Sequence, residues 1–386
     1  MSRRKIKVFV DAEVLVIPHF SGIGHYTLEL LRALDDILDS RSDIKVTLGV
    51  YFRRINKIRS YGFRNFNIRR TPFPLRISNG LKTRGRQPYY DLLFGKCVYL
   101  FPNYTSWPLL FSKSIPVVYD LSFEHYPQYV EPRNQKFLHN NVLRAVNWAT
   151  KIITISENSK KEIAEFYHLP QHKVSIVHPG VDQSAFFRWP DREIAKVKAR
   201  YGIHGKYLLF VGNIEPRKNL KNLLLAYERL DHKTREEYSL LLIGARGWLD
   251  DEIFSIIERL RIAGNFIQQP VGYVEDEDRP ALYSGASAFV YPSLYEGFGI
   301  PPLEAMACGV PTITSNNSSL PEAVGDAALT VDADSVDELT SAINLVLSDA
   351  TLRKMMVKKG FAQVDKYIWQ NKARELVKVI EEAAHA

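Results

Sequence analysis

The 386-residue chain holds only two cysteines, Cys97 and Cys308. That excludes a disulfide framework and any cysteine-rich metal site, and it suits a reducing cytoplasm. No apolar run reaches 18 residues, so no membrane-spanning helix is expected. The start, MSRRKIKVFVD, passes from basic residues directly into a strand pattern and has no signal-peptide core. No G-x-S-x-G, H-E-x-x-H or Walker A sequence occurs, which removes the familiar hydrolase, metalloprotease and P-loop signatures. There is no short repeat and no low-complexity segment.

Acidic residues are missing from residues 44–90, where 12 basic ones occur. Arg53, Arg54, Lys57, Arg59, Arg64, Arg69 and Arg70 alternate there with Tyr51, Phe52, Tyr61, Phe63 and Phe66. Three readings compete: an anionic membrane surface or lipid-linked acceptor, a nucleic acid, and a solvated basic face over an aromatic core. The imbalance is local. Residues 1–183 carry 27 Lys+Arg against 15 Asp+Glu, whereas the remainder carries 24 against 28.

The length implies two domains. Strand and helix patterns alternate, which argues for parallel sheets with crossover helices. Expected strands are 5–12, 45–52, 114–121, 150–156 and 173–182, then 206–212, 238–244, 266–274, 287–293, 310–316 and 327–332. Residues 21–38 read as a turn feeding an amphipathic helix. The Pro179-Gly180 turn marks the boundary, giving domains 1–183 and 184–386, with a final helix at about 366–386 packing back toward the first. Ligands of such sheets bind beyond the carboxyl ends of the strands.

Residues 291–304, YPSLYEGFGIPPLE, place Glu296 and Glu304 eight positions apart. Gly297, Gly299, Pro301 and Pro302 lie between them. Proline is tolerated in the first turn of a helix, so Glu296 should sit on a loop and Glu304 about one turn into a helix. Backbone N–H groups at that helix start suit a ligand that is rich in hydroxyls and carries negative charge. A second segment, VGNIEPRKN (211–219), ends a strand at Gly212 and then offers Arg217 and Lys218, with Asn219 as the expected helix N-cap. Two adjacent cations at a strand-to-helix turn suit a diphosphate.

The Glu296-x7-Glu304 spacing, joined to Gly-Phe-Gly and Pro-Pro, resembles the E-x7-E motif of retaining glycosyltransferases, in particular glycosyltransferase family 4. The likeness extends to VGYV (271–274), residues 293–328, SGIGHYTLELLRAL (21–34) and ISENSKKEI (155–163). The group it most resembles includes many mannosyltransferases of bacterial surface polysaccharides. The resemblance implies an α/β chain of GT-B fold, two Rossmann-like doubly wound domains facing a cleft. The first would hold the acceptor and the second a nucleotide-diphospho-sugar. It further implies a metal-independent, cofactor-free transfer with retention of anomeric configuration.

By that resemblance Arg217 and Lys218 would neutralise the diphosphate and Glu304 would hold the ribose. Glu296 would hold the donor sugar, helped by the N–H groups of Phe298, Gly299 and Ile300. Tyr273 and Val274 would meet the base. Gly22, Gly24 and Gly212 would let backbone approach the donor. One departure stands out: where many relatives carry His-Asp, PVVYDLSFEHYP (116–127) carries Tyr119-Asp120, with His125 five positions on. Tyrosine can donate a hydrogen bond but cannot act as an acid or base near neutral pH. Asp120 is retained as a catalytic candidate, Tyr119 and His125 as sugar- or acceptor-site candidates.

The expected activity is transfer of a hexose, taken as mannose from GDP-mannose, or else from a UDP-sugar, to a glycan or lipid-linked acceptor. The protein is expected in the cytoplasm, peripheral on the membrane through residues 44–90 and without nucleic acid. Two rivals are a sugar-nucleotide 2-epimerase of the same architecture and a non-catalytic membrane-surface module. Asp332-Ala-Asp334 imitates a metal-binding pair but lies after the last strand and is not expected to bind metal.

Overall fold

The computed structural model describes residues 5–17, 22–72, 75–85, 87–247 and 250–386. Ser21 of the SGIG turn, Arg86 of the basic stretch and residues 1–4 lie outside them. The chain forms two compact units, Met1–Gly180 with Trp369–Ala386, and Val181–Ile368.

The first unit is built on β1 (Ile6–Asp11), β2 (Ile44–Tyr51), β3 (Phe66–Thr71), β4 (Val98–Phe101) and β5 (Lys113–Pro116). They form one parallel sheet in the order β3-β2-β1-β4-β5. β6 (Ile152–Thr154) and β7 (Val174–Ile176) pair in parallel, and a bridge from Val117 to Ile153 continues the sheet. Val8, Phe9 and Val10 are buried, as a strand covered on both faces requires. The final helix, Trp369–His385, turns Ala373, Leu376, Val377, Ile380 and Ala383 inward and packs on the helix Gly22–Leu38. Its Glu381 meets Arg41 at 2.7 Å and its Glu382 meets Lys151 at 2.7 Å.

The second unit holds β8 (Lys206–Val211), β9 (Tyr238–Ile243), β10 (Ile267–Gln268), β11 (Ala288–Tyr291), β12 (Thr312–Ser315) and β13 (Leu329–Val331). Their order is β10-β9-β8-β11-β12-β13, all parallel. Strand order reverses between β8 and β11, the switch point where doubly wound sheets open a crevice beyond the carboxyl ends. The segments leaving those two strands, VGNIEPRKN and YPSLYEGFG, are therefore neighbours although nearly 80 residues apart in the chain.

Two expectations need correction. The strand at 266–274 stops at Gln268, because Pro270 has no N–H for the ladder and Gly272 turns at φ 81°. β3 and β4 have no counterpart among the expected strands. β3 is an edge strand whose Phe-Asn-Ile-Arg alternation breaks at Arg70 after four residues, and β4 is four residues long and wholly buried, so β3 gives only a short two-residue period and β4 gives none.

Candidate active site

β8 ends at Gly212, whose φ of 155° leaves the chain free to turn. Gly244 follows β9, and a Cβ there would lie 1.8 Å from the Gly212 carbonyl oxygen, so the two backbones touch only because both are glycine. The loop then makes a tight turn over Pro216–Lys218 and enters the helix Leu220–Glu228 through Asn219 at φ 58°. Asn219 occupies the N-cap position without capping. Its left-handed backbone departs from the extended conformation that an N-cap side chain uses, and its amide donates instead to Pro292 O at 3.0 Å and Ala333 O at 2.7 Å. The side chain thus ties the β8 loop to the β11 loop.

The β11 loop carries Glu296 and turns at Gly299, φ 120°, where a Cβ would press on Leu320 at 2.8 Å. The helix Ile300–Ala307 follows, with Pro301 and Pro302 in its first turn and Glu304 beyond them. Ser319 Oγ donates to Glu296 O at 2.7 Å and Phe298 O at 2.9 Å, and the Glu296 N–H donates to Ser318 Oγ at 3.1 Å. The loop is fixed before any ligand arrives.

Lys218 Nζ donates to Glu296 Oε1 at 2.7 Å and to the Tyr291 hydroxyl at 2.7 Å. Arg217 Nη1 donates to Glu296 Oε2 at 3.2 Å and Tyr295 O at 2.7 Å, while Nη2 reaches Glu215 at 2.7 Å. Lys218, Glu296 and Glu304 are buried. Burial alone would raise the Glu296 carboxyl, but the Lys218 and Arg217 charges overcome it and hold the group at about 2. Burial pulls the Lys218 ammonium below its ordinary range, with Glu296 opposing.

Glu304 lives differently. Burial raises it above the usual carboxylate range, opposed by the Arg279 charge and by the Tyr283 hydroxyl, which donates to Oε2 at 2.8 Å. Two glutamates eight positions apart are thereby pushed in opposite directions, an arrangement that gives paired carboxylates separate roles. Phe298 is buried with its ring edge-on to Tyr367 at 5.2 Å, and Ile300 opens the helix. Tyr273 is largely exposed and Val274 buried, on the segment leading to the helix Arg279–Ser284.

In the first unit Gly22 begins the helix Gly22–Leu38, exposed, and Gly24 is buried within it. Tyr119 is buried; its hydroxyl donates inward to Pro102 O at 3.0 Å and its ring meets Tyr26 edge-on at 5.4 Å. Asp120 Oδ1 accepts from Tyr104 OH at 3.0 Å, Ser122 N at 3.0 Å and Ser122 Oγ at 2.8 Å, and so shapes the turn after β5. The His125 ring stands 3.7 Å from Glu162. In the second unit, Asp332 Oδ1 accepts from the Asp334 N–H at 2.9 Å, a turn contact.

Several neighbours of these groups were not foreseen. Tyr291 opens the very segment that carries Glu296, so its place beside Lys218 was open to inference. Arg279 was not, because its approach to Glu304 depends on two helices packing. In the first unit Asp11 and Glu13 leave β1, and Lys82 Nζ donates to Thr105 Oγ1 at 2.8 Å beside Trp107. Burial, then Asp11, push the Glu13 carboxyl up to about 7. An Asp-x-Glu at the end of a first strand was the available signal.

Residues 192–363 match the family described as glycosyl transferases group 1, and residues 20–185 match glycosyltransferase family 4. The chain is 33% identical over 376 residues to the O-antigen chain mannosyltransferase B of Escherichia coli, covering 95% of this chain and 97% of that one. Among solved structures, sucrose-phosphate synthase from Thermosynechococcus elongatus superposes with a TM-score of 0.70 at 16% identity, over 98% of this chain and 99% of that one. HepE from Anabaena in complex with UDP superposes with a TM-score of 0.69 at 15% identity, over 97% and 99%. These likenesses show the GT-B fold.

Proposed function

This chain belongs to the family 4 and group 1 glycosyltransferases, and we propose that it transfers mannose from GDP-mannose, with retention, to a hydroxyl of a glycan or lipid-linked acceptor in surface polysaccharide synthesis. The observation that carries this reading is Glu296 held ionised between Lys218 and Arg217 at the β8–β11 switch point. The sugar and the acceptor class rest on the relative named as an O-antigen chain mannosyltransferase. The alternative donor is a UDP-sugar, the nucleotide class with which a neighbour of the same fold was solved.

In this reading the second unit takes the donor and the first the acceptor. As the bond to the anomeric carbon breaks, positive charge builds on the sugar and negative charge on the diphosphate. Arg217 and Lys218 meet the diphosphate; Glu296, ionised far below neutral pH, accepts from sugar hydroxyls and faces the developing cation. Because these groups are already fixed by one another, little reorganisation accompanies charge separation, which is where such sites gain most of their effect. Glu304 takes the ribose hydroxyls, and the segment at Tyr273 and Val274 takes the base. The acceptor hydroxyl attacks from the leaving-group face and its proton passes to the departing phosphate, with no cofactor and no metal.

The chain works in the cytoplasm, against the membrane. Among the described residues no helix is long and apolar enough to cross a bilayer. The basic stretch is not one face: Arg64 pairs with Asp36 at 2.7 Å and Asp39 at 2.9 Å, and Lys82 is buried. Arg53, Arg54, Lys57 and Arg59 are exposed together after β2 and carry the attraction to anionic lipid. The test is transfer from labelled GDP-mannose, UDP-glucose and ADP-glucose to a mannan or lipid-linked acceptor. Transfer from GDP-mannose alone supports the assignment, and donor conversion without acceptor supports an epimerase instead.

A further inference from the structure

Five large apolar side chains of the first unit stand in solvent on two short segments. Tyr89, Leu92 and Leu93 are 46%, 61% and 42% exposed, and Leu110 and Phe111 are 59% and 44% exposed. Their exposure is not loose geometry. Asp91, itself buried, receives Leu110 N at 2.9 Å and Phe111 N at 2.8 Å, and Tyr90 N donates to Pro108 O at 2.9 Å. One carboxylate therefore pins the helix Tyr90–Phe94 to the loop before β5 and brings the two exposed segments together. From below, Phe94 stacks on Phe9 at 4.8 Å and Tyr90 stacks on Trp107 at 4.9 Å, which anchors the knuckle to the core. A monomer gains nothing in water from holding such side chains outward; a rigid apolar patch of this kind marks a contact surface.

The charges around it identify the contact. Between residues 44 and 119 Asp91 is the only acidic residue, and its charge is consumed inside the knuckle. Arg69 reaches the Leu93 and Phe94 carbonyls at 3.4 Å, Lys96 is exposed beside the helix, and Lys113 follows the loop. Apolar tips with a collar of cations and an aromatic at the rim match the boundary between acyl chains and anionic headgroups.

We propose that Tyr89, Leu92, Leu93, Leu110 and Phe111 form a wedge that enters the surface of an anionic lipid bilayer, with Arg69, Lys96 and Lys113 against the headgroups. This deepens the membrane reading above and rests on it, but it moves the insertion mainly to Leu92, Leu93, Leu110 and Phe111, which lie beyond the basic stretch 44–90, with Tyr89 at the end of that stretch. The cations after β2 supply attraction at a distance, and the wedge supplies the hold that salt does not screen.

The test is sedimentation of the full chain with phosphatidylglycerol-containing and pure phosphatidylcholine vesicles across salt. The wild type should bind the anionic vesicles and retain part of that binding at physiological salt. Leu92→Ser with Leu93→Ser, and separately Leu110→Ser with Phe111→Ser, should each weaken binding at least about tenfold, the scale of the apolar area withdrawn from lipid. Each pair sits in solvent, so melting temperature and transfer to a soluble acceptor should stay unchanged. Lys96→Gln with Lys113→Gln should weaken binding at low salt only. Both serine pairs binding like wild type, or no vesicle binding at any salt, overturns the proposal. So does a concentration-dependent dimer that the serine pairs abolish, since a second copy would then cover the face. Loss of transfer in the wild type, with vesicle binding intact, counts against the proposed reaction and not against the wedge.

Discussion

Lys218 Nζ and Glu296 Oε1 lie 2.7 Å apart, joining two segments that reach the site from different strands. The cation expected to await a diphosphate is already paired with the carboxylate expected to await a sugar. Structure and chemistry are coupled here, and substitutions should show both.

Lys218→Ala should lower stability by about 3 kcal/mol, because a buried carboxylate loses its nearest partner. It should also lower turnover by about a hundredfold or more. Arg217→Ala should match it in turnover and cost less stability, since its guanidinium is less buried than the Lys218 ammonium and Glu296 keeps Lys218. Urea denaturation beside steady-state rates separates the two. A Lys218→Ala protein as stable as wild type would remove the pairing from the explanation.

Glu304→Gln should mainly raise the KM for donor, because ribose contacts serve ground and transition states alike. Glu296→Gln should mainly lower kcat, because its charge matters most as the sugar becomes cationic. The reverse pattern would exchange their roles.

Acid should reveal the difference between the two glutamates. The Glu304 carboxyl is raised by burial, so donor affinity should fall as pH drops through its elevated value. Arg279→Gln removes a charge that opposes the rise and should move that loss to higher pH. Glu296 is depressed to about 2, so its contribution to stability is present above the unfolded value of about 4.3 and disappears as pH falls toward 2. The stability gap between wild type and Glu296→Gln should therefore close in acid. Donor titrations and melting curves from pH 3 to 8 measure both.

Transfer should survive EDTA, because fixed cations supply the charge a metal would bring. Complete loss on chelation, with recovery on Mn²⁺ or Mg²⁺, would contradict that.

Much of the fold was legible because parallel strands buried on both faces read as apolar runs. The long gap between Arg217 and Glu296 was bridged in the sequence by the family resemblance alone; in the structure the adjacent strands β8 and β11 bring the two together. What stayed hidden depends on packing. Asn219 reads as an N-cap, yet its φ of 58° and its two carbonyl partners belong to other loops. The basic stretch reads as one patch until Arg64 finds its aspartates and Lys82 enters the core. Tyr119 reads as a hydrogen-bond donor, but no local pattern shows that its hydroxyl donates to Pro102 O. Such outcomes depend on neighbours distant in sequence, which no local pattern encodes.

The most direct measurement is proton NMR of the product made from GDP-mannose and acceptor, comparing wild type with Glu296→Gln and Lys218→Ala at equal folded concentration. The expected result is an α-mannosyl product that retains the donor's configuration, with both variants slowed by about a hundredfold. An inverted product, or variants that transfer mannose at the wild-type rate, would contradict the assignment of this ion pair to the reacting donor.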